Sequence, residues 1–392
     1  MQTDKRVTLL VLILLVTLVG VSCKPAQQNS NAADAAKPKS ARWVAQFRSP
    51  ELAKYSGTNM AVIFYSSISV VSPEVVFVAG DMPNPKINDE RIGVIVRTSD
   101  GGQSWTETPI EQQGFHVTTL NSIHFINPNE GWAVGAETSP DGITITPYIL
   151  KTTNGGVTWA ISKLNSKQIP TTVFFIDSNT GWMGGATPPV GEEEGQGGPS
   201  AILGTTDGGH TWQPQINLPL TVLDITFIDA TNGWACGTKG AIYQTTDGGR
   251  TWNSQRSELE PGDGPVNLTS EGLKQFSIAG IQFTDAQNGF AAAYSEEEDI
   301  GRLLVTTNGG QVWTRKVGGD AGLRDVAFLN AKEGWFVPSK GQYIYHTIDG
   351  ANSLLSEPKI FEQEVTLVRL GFADAGHVWA VGGGAIFYRV TE

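Results

Sequence analysis

The chain has 392 residues, 40% hydrophobic and 17% charged, with 46 glycines, 20 prolines and 11 tryptophans; this composition rules out a disordered or collagen-like chain. Low charge with abundant glycine suits many short strands joined by turns better than long surface helices, which draw on Glu, Lys and Ala. The formal net charge of −12 argues against nucleic acid as a partner, because a grip on phosphates depends on clustered Lys and Arg.

At the N-terminus, Lys5 and Arg6 precede an apolar run from Val7 to Val19, interrupted only by Thr8 and Thr17. The run is too short to span a bilayer as a helix and suits the apolar region of a secretory signal. Val19-Gly20-Val21-Ser22-Cys23 then resembles a bacterial lipobox, with Cys23 as the cysteine that receives lipid. Residues 1–22 are therefore expected to be a lipoprotein signal peptide; as an ordinary signal peptide they would leave Cys23 incidental. Residues 23–41 hold no large apolar side chain and read as a flexible tether, long enough to hold the folded part on the order of 25 Å from a membrane. With Cys23 lipidated, only Cys236 remains, so no internal disulfide is available. The expected location is the bacterial cell envelope, as an exported, membrane-anchored lipoprotein facing the periplasm or the cell surface. Lys24 in place of an Asp tilts the expectation towards the outer membrane.

Two motifs recur through residues 42–392. The first is a Thr-x-Asp/Asn-Gly-Gly-x-Thr-Trp box, at Thr98–Trp105, Thr152–Trp159, Thr205–Trp212, Thr245–Trp252 and Thr306–Trp313, with a degraded copy at Thr347–Leu354. Its third residue is Asp100, Asn154, Asp207, Asp247, Asn308 or Asp349. Asp/Asn-Gly supplies positive φ and local hydrogen bonds, so each box predicts a hairpin turn. The second motif is an apolar strand, a turn and Gly-Trp-x-x-Gly, as in Ile123–Gly135, Val173–Gly185 and Ile225–Gly237. Related stretches start at Ile281, Val326 and Leu370, and Ile68–Gly80 fits the same frame with Phe77 in the Trp place. That makes seven copies, each reading as four antiparallel strands, the unit of a propeller blade.

The expected fold is all-β: a seven-bladed β-propeller of four-stranded antiparallel blades. The last blade runs out of chain after its third strand, and residues 42–47 supply the missing fourth, closing the ring without an open edge. Every tryptophan falls in one of two frames. Trp43, Trp105, Trp159, Trp212, Trp252 and Trp313 open a fourth strand, while Trp132, Trp182, Trp234, Trp335 and Trp379 open a second strand. One residue per repeat at fixed register predicts packing between blades, not sugar-stacking platforms.

On these boxes and Gly-Trp strands the chain resembles the bacterial neuraminidase repeat, or Asp-box, propellers. Within that group it is similar to the photosystem II stability and assembly factor family. The resemblance covers about residues 42–392 and implies a non-catalytic scaffold that binds a protein, as a monomer, near a membrane. A basic patch associated with that family is not visible linearly in this acidic chain, so architecture and scaffold role alone carry over.

In a four-stranded blade the first and third turns share one rim, here short and uniform; the other connections share the opposite rim and vary in length. Variable loops on a rigid scaffold are where function usually sits. Two of them are strongly acidic, with Glu192, Glu193 and Glu194 in one and Glu296, Glu297, Glu298 and Asp299 in the other. They are candidates for docking a basic partner segment or a divalent cation, or else charge that keeps exposed loops soluble. No calcium-loop spacing is present, and no metal or cofactor is expected.

The runner-up is a glycan-active propeller, sialidase-like or another glycoside hydrolase. It would need converging arginines, for which Arg91, Arg302, Arg315, Arg324 and Arg369 are available, or paired carboxylates with shifted pKa. A Tyr nucleophile would come from Tyr148, Tyr294, Tyr343 or Tyr345. The histidines His116, His124, His210, His346 and His377 show no metal-ligand spacing, and Cys236 fits a small buried strand position.

Overall fold

The computed structural model describes residues 40–53, 63–87, 90–112, 114–139, 144–187, 200–255, 276–295, 300–319, 322–338, 340–341, 343–360 and 365–391. Among them are thirty strands, one 3-10 turn (Pro50–Ala53) and no α-helix. After β1 (Ala41–Arg48), the first sheet holds β2 (Phe64–Val70), β3 (Val76–Pro83), β4 (Arg91–Thr98) and β5 (Thr106–Pro109). A small hairpin of β6 (Glu111–Gln112) and β7 (Phe115–His116) leads to the second sheet, β8 (Thr119–Phe125), β9 (Gly131–Thr138), β10 (Ile145–Thr152) and β11 (Ala160–Lys163). The third is β12 (Ile169–Phe175), β13 (Gly181–Ala186), β14 (Ser200–Thr205) and β15 (Gln213–Leu218). The fourth is β16 (Val222–Phe227), β17 (Gly233–Gly237), β18 (Ile242–Thr245) and β19 (Asn253–Ser254). The fifth is β20 (Ser277–Phe283), β21 (Gly289–Ser295), β22 (Ile300–Thr306) and β23 (Thr314–Gly319).

An eight-stranded sheet completes the described chain. It runs from β24 (Leu323–Phe328), β25 (Gly334–Pro338), β26 (Tyr343–Thr347) and β27 (Leu355–Ile360) to β1, and then to β30 (Ala385–Thr391), β29 (His377–Gly382) and β28 (Arg369–Asp374). β1 pairs antiparallel with β30 from Ala41↔Thr391 to Arg48↔Ala385 and touches β27 in parallel at Trp43↔Lys359 and Val44↔Ile360. β1 is thus hydrogen-bonded beside β30, next to β29 and β28.

The first strand of each four-strand set packs against the first strand of the next, in the order β2, β8, β12, β16, β20, β24, β28, and β28 also lies against β2. These inner strands surround a central channel. Six of the seven carry a register shift one residue before a recurring seat, occupied by Ser67, Ser122, Thr172, Asp224, Gly280 and Asp325. Side chains in that seat accept the amide of the next inner strand: Ser67 from Ile123 (3.2 Å), Ser122 from Val173 (3.3 Å), Asp224 from Ile281 (3.1 Å) and Asp325 from Leu370 (2.7 Å). A second layer adds His124 to Phe175 O (2.9 Å) and a reciprocal pair between Gln282 and Phe328. These bonds satisfy backbone groups on the inner strands, each of which is a sheet edge with a ladder partner on one side only.

Between sheets the core is aromatic. A second-strand ring stacks on a first-strand Phe of the next sheet, with centroids 3.5 Å apart for Phe77–Phe125, 3.7 Å for Trp132–Phe175 and 3.5 Å for both Trp182–Phe227 and Trp234–Phe283. The same Phe meets the box Trp edge-on, at 5.9 Å for Trp159, Trp212 and Trp252 and 5.8 Å for Trp313. Both tryptophan frames therefore pack neighbouring sheets together. The junction that β1 enters is built differently. There Trp335 stacks on His346 with Arg389 over its ring, and buried Glu357 accepts from Trp43 Nε1 (2.9 Å) and from both forks of Arg389.

Candidate functional site

Each box closes on itself. In Thr245–Trp252 the Thr245 hydroxyl donates to Asp247 Oδ1 (2.8 Å) and accepts from the amides of Asp247 (3.3 Å) and Gly249 (2.8 Å). Asp247 Oδ1 then accepts the Thr251 amide (2.9 Å) and Oδ2 the Thr251 hydroxyl (2.7 Å). The pattern recurs at Asp100, Asp207 and Asp349, and at Asn154 and Asn308 with an amide oxygen as acceptor. Donors aimed at the carboxylates, the Ser104 and Thr251 hydroxyls first, hold Asp100 and Asp247 down to about 2. The Thr211 hydroxyl likewise leads in lowering Asp207. The box glycine at the fourth position has φ near +70° (Gly101 +71°, Gly248 +72°), a region side chains rarely adopt. Its amide reaches the first turn of the same sheet, as Gly101 N to Glu74 O (2.9 Å) and Gly248 N to Thr231 O (2.9 Å). First and third turns therefore share one rim, and the carboxylates on it are occupied as turn anchors.

On the opposite rim, at the end of the channel between the inner strands, arginines from two of those strands meet. Arg324 is the second residue of the inner strand β24 and Arg369 the first of β28. Arg369 Nη1 donates to Arg324 O (3.4 Å) and Val368 O (3.3 Å). The Arg324 guanidinium lies over the Tyr294 ring, 4.6 Å from its centroid, and its buried Nε has no hydrogen-bond partner. Close by are the two charged seat residues. Burial pushes Asp325 up to about 7, against the opposing charge of Arg369 and the Leu370 amide. Burial raises Asp224 as well, again with Arg369 opposing. Burial works against the charge of Arg369, yet Asp325 and Asp224 together leave it above its ordinary value. The mouth therefore combines two cationic forks, two carboxyls that resist ionisation and an aromatic ring. Such forks hold a planar anion in two directions at once.

The other arginines named from sequence do not join. Arg302 is buried over Phe276 (5.5 Å) beside β20, Arg91 pairs with Asp81 on the first sheet, and Arg315 lies on the outer strand β23. Tyr148 donates to Glu137 Oε2 (2.6 Å), and burial together with that carboxylate raises its pKa, the reverse of what a nucleophile needs. Burial also pushes the Cys236 thiol well above its ordinary value, with Sγ donating to Ile278 O (3.3 Å), so the thiol is inert. His124 is held neutral by burial, at about 4, and His377 bonds Asp374 (2.9 Å). Among the described residues no group of three or more His, Cys, Asp or Glu is arranged to hold a metal ion. Cys23 and both acidic loops, Glu192 to Glu194 and Glu296 to Asp299, lie outside the described residues. Between the second and third strands, β3 and β4 extend over Asp81 and Arg91, and β9 and β10 over Ala136 and Pro147.

Residues 213–317, from β15 to β23, match the family described as photosynthesis system II assembly factor YCF48. The chain thus resembles that family. No curated protein matches. Among solved structures, YCF48 bound to D1 peptide aligns at 17% identity and TM-score 0.60, covering 93% of this chain and all of the other. YCF48 from Cyanidioschyzon merolae aligns at 17% and 0.58, covering 88% of this chain and 98% of the other. A GH74 xyloglucanase from Xanthomonas campestris aligns at 13% and 0.54, covering 83% of this chain and 51% of the enzyme. At these identities the likeness establishes the fold, a β-propeller.

Proposed function

We propose that the chain is a non-catalytic scaffold or assembly factor that binds a segment of a membrane or envelope protein. The family match across residues 213–317 carries this reading, and a structural neighbour bound to D1 peptide supplies the kind of ligand: a peptide. In this reading the sheets form a seven-bladed ring, the eight-stranded sheet counting as two blades with β1 as the closing strand. Cys23 carries the lipid, and the monomeric propeller stands off the membrane on residues 23–41. The variable rim with the channel mouth is the binding face, and the acidic loops at Glu192 to Glu194 and Glu296 to Asp299 add selectivity for a basic flank of the ligand.

A glycan-active propeller is the second reading, favoured by the raised carboxyls of Asp224 and Asp325. Both, however, accept amides of the next inner strand, the same duty Ser67 and Ser122 perform, which describes wall residues better than an acid and base facing a sugar.

The test is a pull-down from detergent-solubilised membranes with tagged, lipidated chain, run beside Arg324→Gln and beside a form with both acidic loops neutralised. A stoichiometric membrane-protein partner, weakened in either variant, is the expected result. Absence of a partner together with cleavage of a glycoside panel would overturn the scaffold reading in favour of the enzyme.

A further inference from the structure

Arg324 and Arg369 leave most of their donors unused. A guanidinium offers five N–H groups; Arg369 gives one nitrogen to two carbonyls, and among the described residues the Arg324 guanidinium donates no hydrogen bond. An arginine oriented by an aromatic face and left with a buried, unpartnered Nε is prepared for an anion that is not part of the fold.

The carboxyl nearest in charge to Arg369 is Asp325, which is buried at 6% exposure and held by the Leu370 amide. The charged and titratable groups that act on it are Asp224 on β16, Cys236 on β17 and Arg369 on β28, and Arg369 in turn feels Tyr294 on β21. From β20 comes only Gly280, where a Cβ would stand 2.5 Å from Asp325 Oδ1. The seat is thus cleared of a side chain and Asp325 is crowded into a site with one other acid.

We propose that the channel mouth holds a peptide carboxylate between Arg324 and Arg369, and that Asp325 takes up a proton as the carboxylate enters. A second negative charge beside Arg369 competes with Asp325 for the same field, so the incoming anion makes the ionised form of Asp325 costlier. Binding therefore tightens on acidification, down to the range where the ligand's own carboxyl protonates. This inference rests on the peptide-scaffold reading and adds a proton linkage to it. Asp325, burial-raised to about 7, changes charge across the neutral range; if the ligand lifts it by about one unit, affinity is about fivefold higher at pH 6 than at pH 8.

The experiment titrates the full chain with acetyl-Ala-Ala-Ala bearing a free carboxyl end, with its C-terminal amide, and with amidated acetyl-Ala-Glu-Ala, following Arg side-chain NMR signals at pH 6, 7 and 8. Binding of either carboxylate peptide with the amide silent, about fivefold tighter at pH 6, is the expected result. The two acids separate a chain end from a side chain as the source. Asp325→Asn, which keeps an acceptor for the Leu370 amide, should bind equally at all three pH values, and Arg324→Gln should bind about tenfold or more weakly. If Asp325→Asn does not fold, the 13C signal of the Asp325 carboxyl in the native chain replaces it, and its midpoint should rise when the acid peptide is added. Equal affinity at pH 6 and 8, a pH dependence surviving in Asp325→Asn, binding of the amide, or an unmoved Asp325 midpoint overturns the linkage. None of these removes a partner captured in the pull-down, so the two readings fail separately.

Discussion

At the scale of single residues the box threonine carries more than its size indicates. Thr245 is fully buried, and its hydroxyl serves the amides of Asp247 and Gly249 while orienting the Asp247 carboxylate. Thr245→Val keeps the shape and removes the hydroxyl, leaving the buried Gly249 amide without an acceptor. Such a loss costs about 2 kcal/mol, so the variant should show a lower urea midpoint, whereas Thr245→Ser should fall close to the wild type. An unchanged Val variant would mean that the box amides find other acceptors. Boxes were legible in the sequence because the bonds of their Thr and Asp or Asn side chains run between residues two to four apart, where spacing alone specifies the partner. The mouth was not, because Arg369 and Arg324 stand 45 residues apart and belong to different strand sets. A signal was available in the repeat frame: the seat reads Ser67, Ser122, Thr172, Asp224, Gly280, Asp325, and Arg369 occupies the matching place before Leu370. Small polar residues in that column serve the channel wall, and its charged members mark the site.

At the scale of elements, the second strands β9, β13 and β17 are each tied to the next set of strands by one ring with two functions. Trp132 stacks on Phe175 and also donates Nε1–H to Gly208 O (3.0 Å) in the next box; Trp182 and Trp234 do the same for Gly248 (3.2 Å) and Gly309 (3.2 Å). The ring therefore links inner core and rim turn. Trp132→Phe preserves stacking and loses the hydrogen bond, for an expected cost of about 1 kcal/mol. Trp132→Ala empties the space between two strand sets, for about 3–5 kcal/mol. Chemical denaturation of both variants separates the contributions, and equal losses would show that stacking contributes nothing beyond the bond. The fixed Trp register made this contact legible. The exception is the junction at β1, where the box is degraded at Leu354 and no fourth-strand Trp follows. Trp43, Glu357, Arg389 and His346 replace the aromatic ladder there with a buried ionic one. That substitution depends on a strand arriving from the far end of the chain, which repeat spacing does not encode.

At the scale of the whole molecule, titration divides the carboxyls into two groups with opposite effects on stability. Asp325 (about 7) and Asp81 (about 6) are raised by burial, and Asp224 and Glu107 move the same way. For these the folded state binds protons more tightly than the unfolded chain. Their contribution is complete below the unfolded pKa near 3.9 and is lost as pH rises through 6 and 7, at up to about 1.4 kcal/mol per pH unit for each group. Glu357 is lowered: burial opposes its charge, but His346 and Arg389 outweigh that cost. Its contribution is present at neutral pH and is lost only as pH falls through its folded value, below the ordinary glutamate range. Box carboxylates at about 2 behave in the same sense. The two groups together place maximum stability between about pH 4 and 6, on the acid side of neutrality. Urea midpoints should fall as pH rises from 5 to about 7 and level off towards pH 8, and Asp325→Asn should flatten the upper part of that slope while Asp81→Asn flattens the lower part. Midpoints that rise with pH would mean that both buried carboxyls stay ionised in the fold, and Asp325 would then have no proton to exchange when an anion reaches the channel mouth.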